Sequence, residues 1–234
     1  MKYARDKKCS EKIDVTTNAS LLNPEINLAI IEAGLDRINI SIEGMSAKQY
    51  LDFSKYEIDF DKLVKNIRHL YENRGNCEII IKIPGDTISD EDKKRFYEIF
   101  GDIADGVYIE HVMSCWNNFD LKDVKVNQEV GIYGQPIKEV QVCPYIFYSF
   151  SINSDGLVSA CFLDWSRKLI IGDVKKESVK DIWHGKKLLD FQKMFLKKQR
   201  KGHPICGNCG QMSHGMPDNI DDYAEELLEK INKN

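Results

Sequence analysis

The sequence predicts an α/β protein in which about four parallel β/α units precede a small α+β module with a β-hairpin. In the first half, short β-branched runs alternate with amphipathic helical patterns, and no return hairpin lies between them. The alternation ends after residue 112. From about residue 140, an Asp-Gly turn between two β-rich runs predicts a hairpin, and cysteines become concentrated.

Four short runs in the first half predict strands: 12–18, 37–44, 77–84 and 106–112. The first intervening helix has Asn23 as its predicted N-cap, Pro24 at its first position and Gly34 at its end. Further helical patterns follow near 46–56, 59–75 and 89–100. Parallel β/α folds carry their active sites at the carboxyl ends of the strands. This rule places five residues near one rim: Thr17, Asn18, Glu43, Pro84 and His111. Glu110 and His111 alternate along their strand, so only one of them can face the barrel interior.

The second half reads differently. "YIFYSFSINSDGLVSACF" predicts the hairpin, "KLIIGDV" a short strand, and residues 178–202 a helical segment interrupted at Gly185. The basic run 197–201, "KKQRK", is predicted to be a solvated helix terminus, because cations favour that end of a helix. A C-x2-C and a final helix complete the chain.

Composition excludes several classes of protein. The net charge of −4 argues against a dedicated nucleic-acid binder, which needs a basic surplus. No stretch approaches 18 apolar residues, and the N-terminus has no apolar signal region, so neither a membrane span nor a signal peptide is predicted. We therefore expect a cytoplasmic protein with reduced thiols. Its seven cysteines are then buried residues or metal ligands.

Four cysteines lie in the second half with the spacing C-x17-C-x44-C-x2-C: Cys143, Cys161, Cys206 and Cys209. Four thiolates suit an iron–sulfur cluster or tetrahedral zinc, and core packing is the third alternative. One form of the zinc alternative is a site to which Cys206, Cys209 and His214 contribute. Pairing outward from Asp155-Gly156 puts Cys161 opposite Phe150, so the chain must turn back near Pro144 for Cys143 to join. The other three cysteines, Cys9, Cys77 and Cys115, show no ligand spacing.

Several motifs of the second half resemble those of a known protein family. C-x12-G-x4-C, "IIGDV", "SVKDIWHG" and the downstream "CGNC" resemble the SPASM domain of radical SAM enzymes. Larger SPASM domains continue with further cysteines, but Gly215 stands at the first of those places, so the chain resembles the one-cluster variant called twitch. "DVTTNASLL" and "RINISIEG" look like the third and fourth barrel strands of that family.

The resemblance implies a partial radical-SAM-type β/α barrel over 1–125, a SPASM/twitch-like iron–sulfur domain over 140–215 and a C-terminal helix over 216–234. It implies one auxiliary 4Fe-4S cluster on the four cysteines. Complete relatives cleave S-adenosylmethionine to a 5′-deoxyadenosyl radical that modifies a peptide or small-molecule substrate. Asn18, Ser41 and Glu43 match positions near that cosubstrate, and their alternative role is hydrogen bonding at strand ends.

Two motifs of the family are absent from the printed sequence. The C-x3-C-x2-C loop of the radical-generating cluster does not occur, and neither does the Gly-Gly-Glu that holds the methionine amine. The chain thus resembles an N-terminally truncated relative, and we expect no radical generation by it alone and assign no catalytic residue. A broken barrel has an open edge and, we expect, an apolar inner face that an oligomer or partner would cover. The alternative function is a non-catalytic zinc-binding or cluster-carrying interaction module.

Overall fold

The computed structural model describes residues 1–113, 129–215 and 217–233. The contacts divide the chain into two compact units, Met1–Val112 and Met113–Asn234. Cys115, and the end that we predicted for the barrel region at residue 125, lie outside the described residues.

The first unit alternates strands with helices, as the sequence predicts. Its strands are β1 (Asp14–Thr17), β2 (Arg37–Ser41), β3 (Glu78–Pro84) and β4 (Gly106–Glu110). Its helices are α1 (Lys2–Asp6), α2 (Pro24–Glu32), α3 (Ala47–Ser54), α4 (Phe60–Glu72) and α5 (Asp90–Phe100). Within the described residues, the four strands form one parallel sheet in the order β1-β2-β3-β4. This arrangement confirms the predicted half-barrel, although the short α1 was not predicted.

Local capping explains where the helices of this unit begin and end. The side chain of Asn23 accepts a hydrogen bond from the Ile26 amide at 2.9 Å, and Pro24 follows at the first helical position. After α2, Gly34 takes a φ of +80°, a conformation that glycine adopts without strain. Ser89 caps α5 through the amide of Asp92. The predicted signals at both ends of α2 are confirmed.

One face of the sheet forms the core of the unit. Alternate residues of β2 and β3 are fully buried, and they pack with the apolar faces of α4 and α5. The strand members are Ile38, Ile40, Ile79, Ile81 and Ile83, and the helix members include Leu63, Ile67, Leu70, Phe96 and Phe100. Each such side chain contributes about 1.5–3 kcal/mol when fully buried.

The opposite face is largely polar, which corrects the expectation of an apolar inner face. Strand residues turn alternately to the two sides, so residues between the buried isoleucines share the other face. With Ile80 as the main apolar exception, that face carries Thr16, Asn39, Ser41, Lys82, Tyr108 and Glu110. We call these last six residues, together with Glu43, the polar face. β1 and β4 are the edges of this sheet among the described strands, and their covering by a partner stays a prediction.

In the described part of the second unit, three antiparallel strands form a sheet in the order β5-β6-β7. The strands are β5 (Ser151–Ile152), β6 (Leu157–Ser159) and β7 (Ile170–Asp173). The helices are α6 (Val179–Trp183), α7 (Lys186–Leu196), α8 (Gln211–His214) and α9 (Ala224–Lys233). Gly185 precedes α7, so the predicted helix interruption there is confirmed.

The predicted hairpin is present, but its turn contains three residues instead of two. Asn153 donates to the Leu157 carbonyl at 2.8 Å, and Ser151 pairs with Ser159. Gly156, with a φ of +91°, supplies the left-handed residue that a three-residue turn needs. The additional residue shifts the register by one place, so the predicted pairing of Cys161 with Phe150 is wrong.

The core of the second unit joins α7 and α9 to the segments before and after the hairpin. Buried members include Val142, Ile146, Leu188, Phe195 and Ala224. No helix in residues 1–113, 129–215 and 217–233 combines the length and the apolar character needed to cross a bilayer.

Candidate functional site

The C-x2-C motif forms a tight turn that depends on glycine. The Gly207 amide donates to the His203 carbonyl at 2.8 Å, and the Cys209 amide donates to the Cys206 carbonyl at 3.3 Å. A Cβ on Gly207 would lie 2.8 Å from the carbonyl oxygens of His203 and Lys201. The glycine is therefore required by close backbone packing. The amide of Gly207 bonds a carbonyl of the preceding segment.

Cys143 lies where the chain reverses, as the sequence requires. Pro144 begins a short 3-10 turn over Tyr145–Phe147, and the Ser149 amide donates back to the Tyr145 carbonyl at 2.8 Å. The thiol-bearing residue is itself buried, with 8% of its surface exposed. The bend after Cys143 brings this thiol toward the other three.

Cys161 follows β6 and opens a loop that a buried carboxylate stabilises. The Leu163 amide donates to the Cys161 sulfur at 3.3 Å. Further along, the buried Asp164 accepts hydrogen bonds from the amides of Lys168 and Leu169 at 2.9 and 2.8 Å. Hydrogen bonds within the loop between β6 and β7 thus fix its conformation, and they hold the sulfur of Cys161 in place.

Two of the four thiols, Cys143 and Cys206, have pKa values that are raised by the other cysteines of the quartet. Burial, with added contributions from the neighbouring Cys161 and Cys209, raises the pKa of Cys143 to about 12. Burial also raises the pKa of Cys206, with added contributions from Cys161, Cys209 and Cys143. The fold therefore brings together cysteines that lie up to 66 positions apart in the chain.

Backbone amides oppose the effect of burial at two of these thiols. Amides of Tyr145 and Ile146 lower the pKa of Cys143, and amides of Gln211 and Met212 lower the pKa of Cys209, although burial dominates both. Amide hydrogen bonds to sulfur stabilise the thiolate form, which is the form that ligates iron or zinc. Four clustered thiols with amide donors are a set that fits an iron–sulfur cluster.

The histidines near the C-x2-C have protein partners. His203 accepts hydrogen bonds through Nδ1 from the amides of Ile205 and Cys206 at 3.3 and 3.1 Å, so it shapes the turn before the motif. His214 contacts the Ser213 hydroxyl through Nδ1 at 2.9 Å. Across the described ranges, no three His, Cys, Asp or Glu side chains are arranged as a site for a single metal ion.

Arg200 is the residue of this site that sequence reasoning missed. It belongs to the "KKQRK" run predicted to be solvated, yet only 7% of its surface is exposed. Its guanidinium donates to the carbonyls of Cys206 and Cys209 at 3.2 and 3.4 Å. The prediction of a solvated terminus is wrong for this residue, because the planar guanidinium reaches both carbonyls of the turn. Arginine among lysines was the available signal.

In the first unit, Asn18 makes hydrogen bonds at the end of a strand, the role that we gave as the alternative to a contact with the cosubstrate. Its side-chain oxygen accepts hydrogen bonds from the Ser20 amide at 3.1 Å and the Ser20 hydroxyl at 2.8 Å. This Asx turn follows β1 directly and includes Ala19, whose φ is +60°. Asn18 is exposed, and the turn occupies its side-chain oxygen.

Ser41 and Glu43 lie on the polar face beside a lysine that we did not predict. Ser41 pairs in register with Lys82, the one charged residue in the carboxyl half of "CEIIIKIP". Burial raises the pKa of Glu43, and the charge of Lys82 lowers it. Lys82 also forms an ion pair with Glu110 at 3.1 Å. A lone lysine in a strand of isoleucines was the signal that could have identified it.

The choice between Glu110 and His111 is resolved by their partners. Glu110 pairs with Lys82 of the polar face, whereas His111 contacts the Asp86 carboxylate through Nδ1 at 2.9 Å. Asp86 also accepts a hydrogen bond from the Val112 amide at 2.7 Å. Glu110 is thus the residue of the two that contributes to the polar face.

Two family models match the chain. Residues 2–96 match the radical SAM superfamily, and residues 143–210 match SPASM, an iron–sulfur cluster-binding domain. The second match begins at Cys143 and includes the other three cysteines of the quartet.

One characterised relative is the S-adenosyl-L-methionine-dependent 2-deoxy-scyllo-inosamine dehydrogenase of Niallia circulans, 34% identical over 58 residues. That alignment covers 25% of this chain and only 23% of the relative. The solved structure of BtrN with AdoMet and 2-DOIA shares 14% identity and a TM-score of 0.53, over 94% of this chain and 68% of that one. The structure of native anSMEcpe with AdoMet and the Cp18Cys peptide has 13% sequence identity to this chain and a TM-score of 0.55. That match covers 100% of this chain and 78% of the other.

The structural matches show the fold, and the family matches cover the first three strands of the parallel sheet and the cysteine quartet. Over residues 2–96 the chain is similar to the radical SAM superfamily, and over residues 143–210 it is similar to the SPASM iron–sulfur cluster-binding domain.

Proposed function

We propose that this chain binds one auxiliary 4Fe-4S cluster through Cys143, Cys161, Cys206 and Cys209. The observation that carries the proposal is the match of residues 143–210, which include all four cysteines, to an iron–sulfur cluster-binding domain. Neighbouring thiols also raise the pKa of Cys143 and Cys206. Amide donors to the sulfurs and a C-x2-C turn that needs glycine support the proposal. When bound, such a cluster supplies one-electron transfer, and the four side chains hold it with no open iron for a cosubstrate.

We further propose that the polar face belongs to the cosubstrate and substrate side of a radical SAM enzyme. Ser41 and Glu43 are the candidates for contacts with S-adenosylmethionine, as the family resemblance implies. Lys82, between Glu43 and Glu110, is positioned to bind an oxygen-rich small molecule or a peptide group. Asn18 is the weakest of the candidates, because Ser20 already occupies its side-chain oxygen.

The experiment is anaerobic reconstitution of the full chain with iron and sulfide. We expect a brown protein that absorbs broadly near 400 nm and contains about four irons per chain. Single serine variants at Cys143, Cys161, Cys206 and Cys209 should each lose most of the iron. Cys9→Ser and Cys77→Ser are matched controls that should retain it.

The alternative is a non-catalytic zinc-binding or cluster-carrying interaction module. It is favoured by the absence of C-x3-C-x2-C from the printed sequence. A colourless protein with one zinc per chain would contradict the cluster proposal. We expect that the reconstituted chain alone forms no 5′-deoxyadenosine from S-adenosylmethionine under dithionite, and detection of that product by mass spectrometry would contradict this.

A further inference from the structure

A buried positive charge lies directly behind the C-x2-C turn. Arg200 is 7% exposed, and its guanidinium donates to two neutral backbone carbonyls, those of Cys206 and Cys209. Among the residues that the structure describes, no carboxylate forms an ion pair with it. The other basic residues of the same run are exposed, and Lys201 pairs with Glu139 at the surface.

An uncompensated buried charge is costly. Carbonyl hydrogen bonds satisfy part of the guanidinium, but they supply no net negative charge, and removal of an unpaired charge from water is strongly unfavourable. Arginine does not relieve this cost by losing its proton. The cost is offset if an anion occupies the space on the other side of the turn.

A four-thiolate cluster is such an anion, because the charge of four thiolates exceeds that of the iron–sulfur core. Arg200 contacts the backbone of two proposed ligands directly, since its guanidinium donates to the carbonyls of Cys206 and Cys209 at 3.2 and 3.4 Å. The side chain therefore lies within electrostatic range of two proposed ligands.

We propose that Arg200 is the counter-ion of the cluster held by the cysteine quartet, and that it sets the reduction potential of that cluster. The inference rests on the proposed cluster binding. Reduction adds one electron and makes the cluster more negative, so a nearby fixed cation stabilises the reduced state and raises the potential. Arg200 is a positioning and tuning residue: it contacts the ligand backbone through the carbonyls of Cys206 and Cys209.

The test compares reconstituted full-length wild type with Arg200→Gln, Arg200→Lys and Lys201→Gln. The last removes the same charge one residue away, at a side chain that is 73% exposed. Iron content, absorption and the midpoint potential are measured for each by dithionite titration followed by electron paramagnetic resonance.

For Arg200→Gln we expect a midpoint potential that is more negative by about 59 mV or more, a tenfold change in the equilibrium constant of a one-electron couple. Arg200→Lys keeps the charge and should shift the potential less, although it loses the planar contact with two carbonyls. Lys201→Gln should match wild type. A fully loaded Arg200→Gln with an unchanged potential would overturn the inference while leaving the cluster proposal intact.

Loading itself provides a second measurement. If Arg200→Gln takes up no iron but Arg200→Lys does, a positive charge is needed for binding, which supports the inference. If both variants fail to bind iron while Lys201→Gln binds it, the shape of the arginine and not its charge is required, and the inference is overturned. A wild type without iron would overturn the cluster proposal, and the inference with it.

Discussion

The carboxylate of Asp221 accepts a 2.7 Å hydrogen bond from the backbone amide of Val142, the residue immediately before Cys143. The same carboxylate accepts from the Gln141 amide at 3.0 Å. One residue of the C-terminal segment thus fixes Val142, which lies 79 positions earlier in the chain and immediately precedes the first proposed ligand.

Replacement of Asp221 by alanine should therefore weaken both the fold of this unit and the proposed cluster site. The buried Val142 amide would lose its acceptor, which costs about 1–3 kcal/mol of unfolding free energy. Urea denaturation and the iron content after reconstitution measure the two effects. Asp222→Ala, at an exposed neighbour, is the control. Equal behaviour of the two variants would show that the carboxylate of Asp221 does not organise the segment before Cys143.

Gly207→Ala should disrupt the C-x2-C turn. Its new methyl group would lie 2.8 Å from two carbonyl oxygens, so the backbone must shift, at a cost of about 1–3 kcal/mol. We expect faster loss of iron, followed as bleaching near 400 nm in the presence of a chelator. Gly202→Ala is a matched control, because a Cβ there meets no heavy atom within 4 Å. Identical bleaching rates would contradict the steric argument.

Lys82→Met should raise the pKa of Glu43 above its already raised value. Burial raises this pKa and Lys82 opposes burial, so removal of the lysine leaves burial less opposed. Carbon-detected NMR titration of the Glu43 carboxyl measures the change. Lys48→Met, an exposed lysine on α3, should leave it unaltered. A pKa of Glu43 that falls or stays constant in Lys82→Met would refute the proximity on which the polar-face proposal depends.

Asp105 should make the stability of the first unit sensitive to acid. Partial burial raises the pKa of Asp105, but hydrogen bonds from Arg74 and the Ile79 amide lower it more, and the net pKa is below the usual value. Because the pKa of Asp105 is lower in the folded state, its carboxylate stabilises the fold above about pH 4, which is the pKa of an aspartate in the unfolded chain. This stabilisation is lost as the pH falls through the pKa of the folded state.

Urea denaturation between pH 6 and pH 3 checks this linkage. Asp105→Asn should have a smaller loss of unfolding free energy over that range than wild type, because the amide does not titrate. Asp102→Asn, at an exposed position on the preceding turn, should retain the wild-type profile. If the unfolding free energy of Asp105→Asn falls with pH as steeply as that of wild type, a group other than Asp105 causes the acid sensitivity.

The elements that the sequence predicted correctly all have short-range causes. The caps of α2 and α5 depend on contacts three residues apart, and the strands alternate with a period of two. The hairpin was also predicted, yet its register was wrong by one residue. Asp155-Gly156 marks a turn without stating its length, and the turn closed around three residues once Gly156 took the left-handed position.

The residues that sequence reasoning missed are those whose environment is set by distant segments. The burial of Arg200 arose only when the turn folded over it, although its residue type already set it apart from the neighbouring lysines. Lys82 acquired its partner from the next strand, 28 positions away. The polar face was mistaken for an apolar one because the isoleucine-rich strands conceal which alternate side carries the few polar groups.

By itself, the sequence determined the order of helices and strands and the family to which the cysteine spacing points. Only the tertiary structure decided which thiols interact, which basic residue is buried behind Cys206 and Cys209, and how Asp221 fixes the approach to Cys143. The physical reason is that periodicity and capping act within a few residues, whereas burial and electrostatic coupling depend on segments that meet only after the chain has packed.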